Sequence, residues 1–220
     1  MSGVMPMFAD AWTYLVLHPR QFGVALWTHI GLSVSALTIA AAIAVPIGIW
    51  LAQTQRAALL AINTANIGRT LPSLAVLALM MPILGTGFAP ALFALTLLAL
   101  PPILLNTYTA IRQVDPDTID AARGMGMTAI EIVRKVKLPI AIPIIFAGIR
   151  TAAIQVISGA VLAAYIGGGG LGDFITAGIA MMAVPQLLVG AVPATLLALG
   201  ADALFASVQR AITPKGLRPR

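Results

Sequence analysis

Residues 25–52 read ALWTHIGLSVSALTIAAAIAVPIGIWLA, with one histidine and no aspartate, glutamate, lysine or arginine. About 20 consecutive apolar residues are enough for a helix to cross the hydrocarbon core of a bilayer. The whole chain has the same character, because 60% of its 220 residues are hydrophobic and 9% are charged. Ordinary soluble domains are about one quarter charged. The sequence therefore predicts an all-α membrane protein.

Four more apolar stretches bring the total to about five transmembrane helices, close to the limit for a chain of this length. They cover residues 57–84, 89–111, 138–164 and 187–207. The stretch 57–84 is broken near residues 69–72, and the stretch 89–111 contains Pro101 and Pro102, which remove backbone donors. No room is left for a second soluble domain.

These stretches divide the chain into three parts. Residues 1–24 contain four aromatic side chains and no basic leader, so we expect an uncleaved segment at the external membrane interface. Residues 25–210 form the transmembrane domain, which includes a polar loop at 112–138. Residues 211–220 form a basic tail.

The basic residues predict the orientation of the chain. Ten of the 13 fall in three segments that a five-span topology places on one side: Arg56, Arg112, Arg123, Arg134, Lys135, Lys137, Arg210, Lys215, Arg218 and Arg220. Cytoplasmic loops carry such an excess of lysine and arginine, so we expect the loop and the C-terminus inside and the N-terminus outside. Because the bases lie between apolar stretches, the net charge of +6 indicates a lipid bilayer and not nucleic acid as the partner.

Several other classes of protein are excluded. The chain has no cysteine, so it has no disulfide and no thiol nucleophile. His18 and His29 are too isolated to form a metal site. The glycines at residues 167–172 are followed by Asp173 and lack the Lys-Ser/Thr of a phosphate-binding loop, so they are interpreted as a turn on the outer side. We expect no enzymatic activity and no cofactor on this chain.

The polar loop is predicted to form two short helices. Asp115 is a good N-cap and Pro116 suits the first helical position, while Gly124 or Gly126 ends the helix. A second helix starts at Thr128 with a glutamate three residues later, which is a capping box. The first helix would offer a small face at Ala121 and Ala122 to another protein. From spacing alone, a merely solvated basic loop is an equally good interpretation.

The loop resembles the EAA loop of ABC importer permeases. The matching residues are Asp120, Ala121, Ala122, Gly126, Val136, Leu138 and Pro139, with Asp120 in place of glutamate and Val136 in place of isoleucine. This resemblance implies the type I ABC importer permease fold. It also implies that these residues, together with Gly124, form a coupling helix that docks on an ATP-binding subunit. Gly126 would supply a positive φ or allow a close approach, and Pro139 would end the second helix.

The resemblance extends over nearly the whole chain from Thr28. The stretches at residues 69–75, 106–108, 124–128 and 167–172 are similar to permeases for glycine betaine, carnitine, choline and related osmoprotectants, and the methionine permeases are near neighbours. It implies a bacterial inner-membrane location, two copies of an ATPase that binds ATP and Mg, an external substrate-binding protein, and a second permease, identical or similar. Permeases for methionine or another amino acid remain the alternative. A secondary carrier is a distant one, since no inverted repeat is evident.

Polar residues within the spans are the remaining candidates. Arg69 and Arg150 are intramembrane charges, and Asp202 is the acid at membrane depth that could pair with one of them. We favour such an ion pair, or an arginine that reaches toward the membrane interface, over a contact with a substrate carboxylate. Candidate residues for a translocation path are Ser73, Asn106, Thr107 and Tyr108. Polar residues of this kind more often bond a neighbouring helix.

Overall fold

The computed structural model describes residues 4–54, 63 and 72–213, and over these ranges the chain is helical with no β-strand. The helices are α1 (Val4–Leu17), α2 (Pro19–Gln53), α3 (Ser73–Leu84), α4 (Phe88–Arg112), α5 (Pro116–Gly124), α6 (Ala129–Ile166), α7 (Gly172–Ala180) and α8 (Val184–Ile212). The predicted all-α class is confirmed.

Four of the described helices, α2, α4, α6 and α8, are long and apolar enough to cross a membrane. Helix α3 is apolar but has only 12 residues. It forms the end of the second predicted span, most of whose earlier part lies outside the described residues, as do Arg69, Arg56 and the tail from residue 214. The predicted total of about five spans therefore corresponds to four long helices and one shorter apolar helix.

The first long helix begins earlier than the predicted boundary at residue 25. Helix α1 ends at Leu17, and α2 starts at Pro19 after a break at His18. Proline fits the first turn of a helix because the N–H it lacks would have no partner there. The segment before residue 25 thus consists of α1 and the first turns of α2.

Helix α4 is the centre of the core. It packs against α2 on one side and α6 on the other. Small residues make the approach close: a Cβ on Gly48 of α2 would lie 2.8 Å from Thr107 Cβ, and one on Gly148 of α6 would lie 2.7 Å from Asn106 Cβ. Small residues at such crossings allow helices to gain dispersion energy in a membrane, where burial from water contributes little.

A second cluster lies beside this core. Helix α8 packs against α7, α6 and α1. Phe174 of α7 is fully buried there, with the rings of Tyr14 and Phe22 at centroid distances of 6.4 and 6.3 Å. The N-terminal helix α1 is therefore packed on the body of the protein through its contacts with α8 and α7.

Helix α6 is continuous but irregular. It is α-helical at Ala129–Glu131, π-helical at Ile132–Lys137, α-helical again at Leu138–Gly159 and 3-10 helical at Ala160–Ile166. The expectation that Pro139 ends this helix is wrong. A π turn, whose hydrogen bonds span five residues, comes just before the proline, so the helix continues past the missing donor.

The contact at Gly148 gives a test of the core. We expect Gly148→Ala to destabilise the detergent-solubilised chain by about 1–3 kcal/mol, because the added methyl group meets Asn106 and the Pro102 carbonyl, which is backbone and cannot rotate away. Gly31→Ala is the control, since a Cβ there meets nothing within 4 Å. Thermal unfolding of both variants would measure the difference. Equal midpoints for the two would contradict the packing described here.

Candidate functional site

The polar loop between α4 and α6 folds as the sequence predicts at its first helix. The Asp115 carboxylate accepts a hydrogen bond from the Asp117 N–H at 3.1 Å, and Pro116 follows in the first helical position. Helix α5 ends at Gly124, and the chain turns at Gly126 with φ of +83°. A positive φ is accessible to glycine at little cost. The predicted role of Gly126 in the turn is therefore confirmed.

The second helix start is also confirmed. The Glu131 carboxylate accepts the Thr128 N–H at 3.0 Å, while the Thr128 hydroxyl accepts the Glu131 N–H at 3.4 Å, which completes a capping box. Lys135 Nζ donates to the same carboxylate at 2.8 Å. That bond and the bonds from Thr128 lower the pKa of Glu131 to about 2. Glu131 thus stays charged over the physiological range and fixes the start of α6.

The exposed surface of the loop differs from the predicted small face. Ala121 is exposed, but Ala122 is 2% exposed and packs into its own chain, so the pair does not present one surface. Instead two apolar side chains of the loop are exposed. Met125 is 75% exposed and Ile130 is 70% exposed. Sequence reasoning missed both, although an apolar residue on each side of a glycine turn in a polar loop was a usable signal.

The other matched residues of the loop fall into two groups. Asp120 is exposed and pairs with Arg123 at 3.0 Å on the surface of α5. Val136 and Leu138 are partly buried, and Pro139 is exposed. Helix α5 contacts the π-helical turn of α6. The loop therefore holds α5 directly on the beginning of a long membrane helix.

Arg150 of α6 and Asp202 of α8 form the ion pair that the sequence favours. Arg150 Nε and Nη2 donate to the two carboxylate oxygens of Asp202 at 2.6 and 2.9 Å. The planar guanidinium matches a carboxylate in this two-point geometry. The two side chains are 33% and 37% exposed on the surface of the single chain. The other intramembrane cation of the prediction, Arg69, lies outside the described residues.

The predicted path residues pack between helices. Thr107 and Tyr108 are buried in the core around α4, and the Asn106 side chain donates to the Pro102 carbonyl of its own helix at 2.8 Å. Ser73 is the first residue of α3 and is partly buried. None of the four lines the cavities described below. Their role in a path stays a prediction.

Cavities on the described part of the chain include the following three. The first, of about 580 Å³, lies beside the glycine-rich turn and is lined by His18, Arg20 and Asp173 among others. The second, of about 670 Å³, lies between α6 and α8 and reaches Asp202. The third, of about 280 Å³, is mostly apolar and borders His29 and Ser33 of α2.

The glycine-rich turn connects α6 to α7, as expected of a turn. Gly167, Gly169 and Gly170 all have positive φ, and a Cβ on Gly170 would lie 3.3 Å from His29 Nδ1. His29 Nε2 lies 3.1 Å from the Ile157 carbonyl, which makes the ring a donor to α6. The turn therefore packs on the imidazole that joins α2 to α6. Within the described ranges, no group of three metal-binding side chains occurs.

Comparisons with known proteins agree with these features. Residues 44–216 match the family described as binding-protein-dependent transport system inner membrane component. The chain is 45% identical over 190 residues to the glycine betaine/carnitine/choline transport system permease protein OpuCB of Bacillus subtilis, covering 86% of this chain and 88% of that protein. It is 43% identical over 195 residues to the carnitine transport permease protein OpuCB of Listeria monocytogenes, covering 89% of each.

Solved structures show the same fold. A chain of the MetNI methionine ABC transporter in an inward-facing conformation is similar with a TM-score of 0.78 and 24% identity, covering 90% of this chain and 99% of that chain. A chain of an amino acid ABC transporter with histidines gives a TM-score of 0.74 at 20% identity, covering 90% and 97%. The fold is therefore that of an ABC transporter permease, as the loop motif implies.

Asp173 gives a pH test of the site around the glycine-rich turn. Burial raises the pKa of its carboxyl above the ordinary value. Between the ordinary pKa of about 3.9 and the raised folded pKa, the folded chain binds more protons than the unfolded chain, so stability falls as pH rises through that window.

We expect Asp173→Asn to raise the thermal midpoint at pH 7, because the amide carries no charge to bury, and to have little effect below about pH 3.9, where both folded and unfolded Asp173 are protonated. Thermal unfolding in detergent at the two pH values would measure this. A lowered midpoint at pH 7 would show that the Asp173 charge stabilises the fold and would contradict the prediction.

Proposed function

This chain belongs to the family of binding-protein-dependent transport system inner membrane components, and on that premise we propose that it is the transmembrane permease of an ATP-driven importer for quaternary ammonium osmoprotectants. The observation that carries the substrate class is the 45% identity to a permease for glycine betaine, carnitine and choline over most of both chains. Relatives named for choline and for carnitine have 44% and 43% identity.

ATP hydrolysis belongs to a separate subunit in this proposal. The chain itself carries no cofactor, and ATP and Mg bind to two copies of the ATPase partner. An external binding protein delivers the solute, and a second permease, identical or similar, completes the translocation path across the inner membrane. The family description names dependence on a binding protein, and so supports the external binding protein as a partner.

The polar loop is the surface that we assign to the ATPase. Ala121 is a small exposed residue on α5, and the side chains of Met125 and Ile130 are exposed on the same loop. Large apolar side chains exposed near a small residue suit insertion into a pocket of a partner, because their burial on docking removes them from water. With the basic residues of the loop inside, this surface is cytoplasmic.

Transport by reconstituted protein tests the proposal. The chain, its ATPase and its binding protein in proteoliposomes should take up labelled glycine betaine, choline or carnitine when ATP is supplied on the ATPase side. Methionine is the competing substrate, since the fold is shared with a methionine transporter. Uptake of methionine alone would show that the proposed substrate class is wrong. If neither methionine nor a quaternary ammonium compound is taken up with ATP, the importer function is refuted.

Docking of the loop is tested separately by Ala121→Trp. A bulky ring at this exposed position keeps α5 folded but blocks close approach, so we expect ATPase retained on the affinity-purified permease to fall at least about tenfold, equivalent to about 1.4 kcal/mol. Ser207→Trp is the control, because Ser207 is exposed on α8 outside the loop. Retention of the ATPase by the Ala121 variant at the control level would exclude this face as the docking surface.

A further inference from the structure

The Arg150–Asp202 pair lies within the predicted spans 138–164 and 187–207. Arg150 is 12 residues beyond Leu138, where the regular part of α6 begins, and Asp202 is ten residues before the end of α8 at Ile212. At a rise of about 1.5 Å per residue these positions are roughly 18 and 15 Å from those ends. A hydrocarbon core is about 30 Å thick. Both charges thus lie within helices long and apolar enough to cross the bilayer, away from the helix ends.

The pair is also on the surface of the single chain, with about a third of each side chain exposed. Charged groups at this depth are almost always turned toward the interior of a bundle or a water-filled cavity, since lipid cannot solvate them. The face of α6 and α8 that carries the pair therefore meets water or protein in the assembled transporter.

A cavity of about 670 Å³ adjoins the pair on this face. Its walls are formed by small and aliphatic side chains with two hydroxyls, Ser158 and Thr195, and among the described lining residues Asp202 alone is charged. Beyond the pair, toward the ends at Leu138 and Ile212, the rings of Phe146 and Phe205 lie 5.5 Å apart. The Asp202 carboxylate is thus the one charged group lining the described part of an otherwise weakly polar cavity.

This combination suits a methylated ammonium group. Such a cation has no N–H, so it needs no hydrogen-bond acceptors around it, and its methyl groups can pack on aliphatic walls while the Asp202 carboxylate, paired with Arg150, offers it a weak electrostatic contact. Arg150 occupies Asp202 with two of the five N–H donors of its guanidinium. Because Arg150 already neutralises the carboxylate, attraction for a second cation is weak, which favours release from a transport path.

We infer that the cavity between α6 and α8 is a transient binding site for the quaternary ammonium group of the transported solute, with the Asp202 carboxylate as the anionic group that the cation approaches and Arg150 as the residue that positions Asp202. This inference rests on the proposed function, which supplies the solute class. It adds the location of a site within the membrane and the residues that form it.

Two variants test the site without leaving a charge unpaired. The double variant Arg150→Met with Asp202→Leu removes both charges, and Ala198→Phe places an aromatic ring in the cavity while the pair stays intact. Ala203→Phe is the matched control, because Ala203 is the exposed neighbour of Asp202 and lines none of the three cavities. Each would be assembled with the ATPase and binding protein and assayed for complex formation, ATPase activity, and uptake of labelled choline and glycine betaine.

We expect the double variant and Ala198→Phe to assemble and hydrolyse ATP, but to lower uptake of both solutes at least about tenfold, with Ala203→Phe unchanged. Normal uptake by Ala198→Phe or by an assembled double variant would overturn the site. If the double variant does not assemble, Ala198→Phe decides alone. If the wild-type complex takes up no quaternary ammonium compound, the proposed function fails, whereas normal uptake by wild type and variants alike refutes only the site.

Discussion

One continuous helix links the polar loop to the interior of the membrane. Helix α6 begins at the capping box of Thr128 and Glu131 and runs to Ile166. Helix α5 contacts its π-helical turn, and Arg150 lies further along the same helix. A displacement of the loop by an ATPase would therefore reach the ion pair through backbone hydrogen bonds and not through a chain of side-chain contacts. The remaining features of the structure depend on this connection.

The packing on the two sides of α6 is unequal. Toward α4 the contact at Gly148 is close and involves backbone atoms, so the two helices are held together. Toward α8 the contact includes the Arg150–Asp202 pair and an open cavity. Bidentate pairing keeps the two charges satisfied at a depth where separation is costly. Motion of α6 is thus expected to carry α4 with it and to change the cavity beside α8.

Local signals in the sequence predicted the parts of the site that depend on local chemistry. Asp115, Thr128, Glu131 and Gly126 act through neighbours a few residues away, so their patterns sufficed. The Arg150–Asp202 pair was predictable because the spans contain so few acids. The burial of Ala122 and the exposure of nearby apolar side chains depend on how α5 packs on α6, which spacing does not encode. Continuation of the helix past Pro139 depends on a π turn, which the sequence pattern did not predict.

The most direct test of this account is a distance measurement along α6. The chain has no cysteine, so Ala129→Cys and Tyr165→Cys, exposed near the two ends of the helix, can be spin-labelled as a pair for pulsed electron paramagnetic resonance in the assembled transporter. Transmission by α6 as one body predicts a narrow intrahelical distance of about 54 Å, set by the helical rise, that does not change when ATP binds. A distance that shortens or splits with ATP would show that α6 bends at the π turn, and would contradict the account.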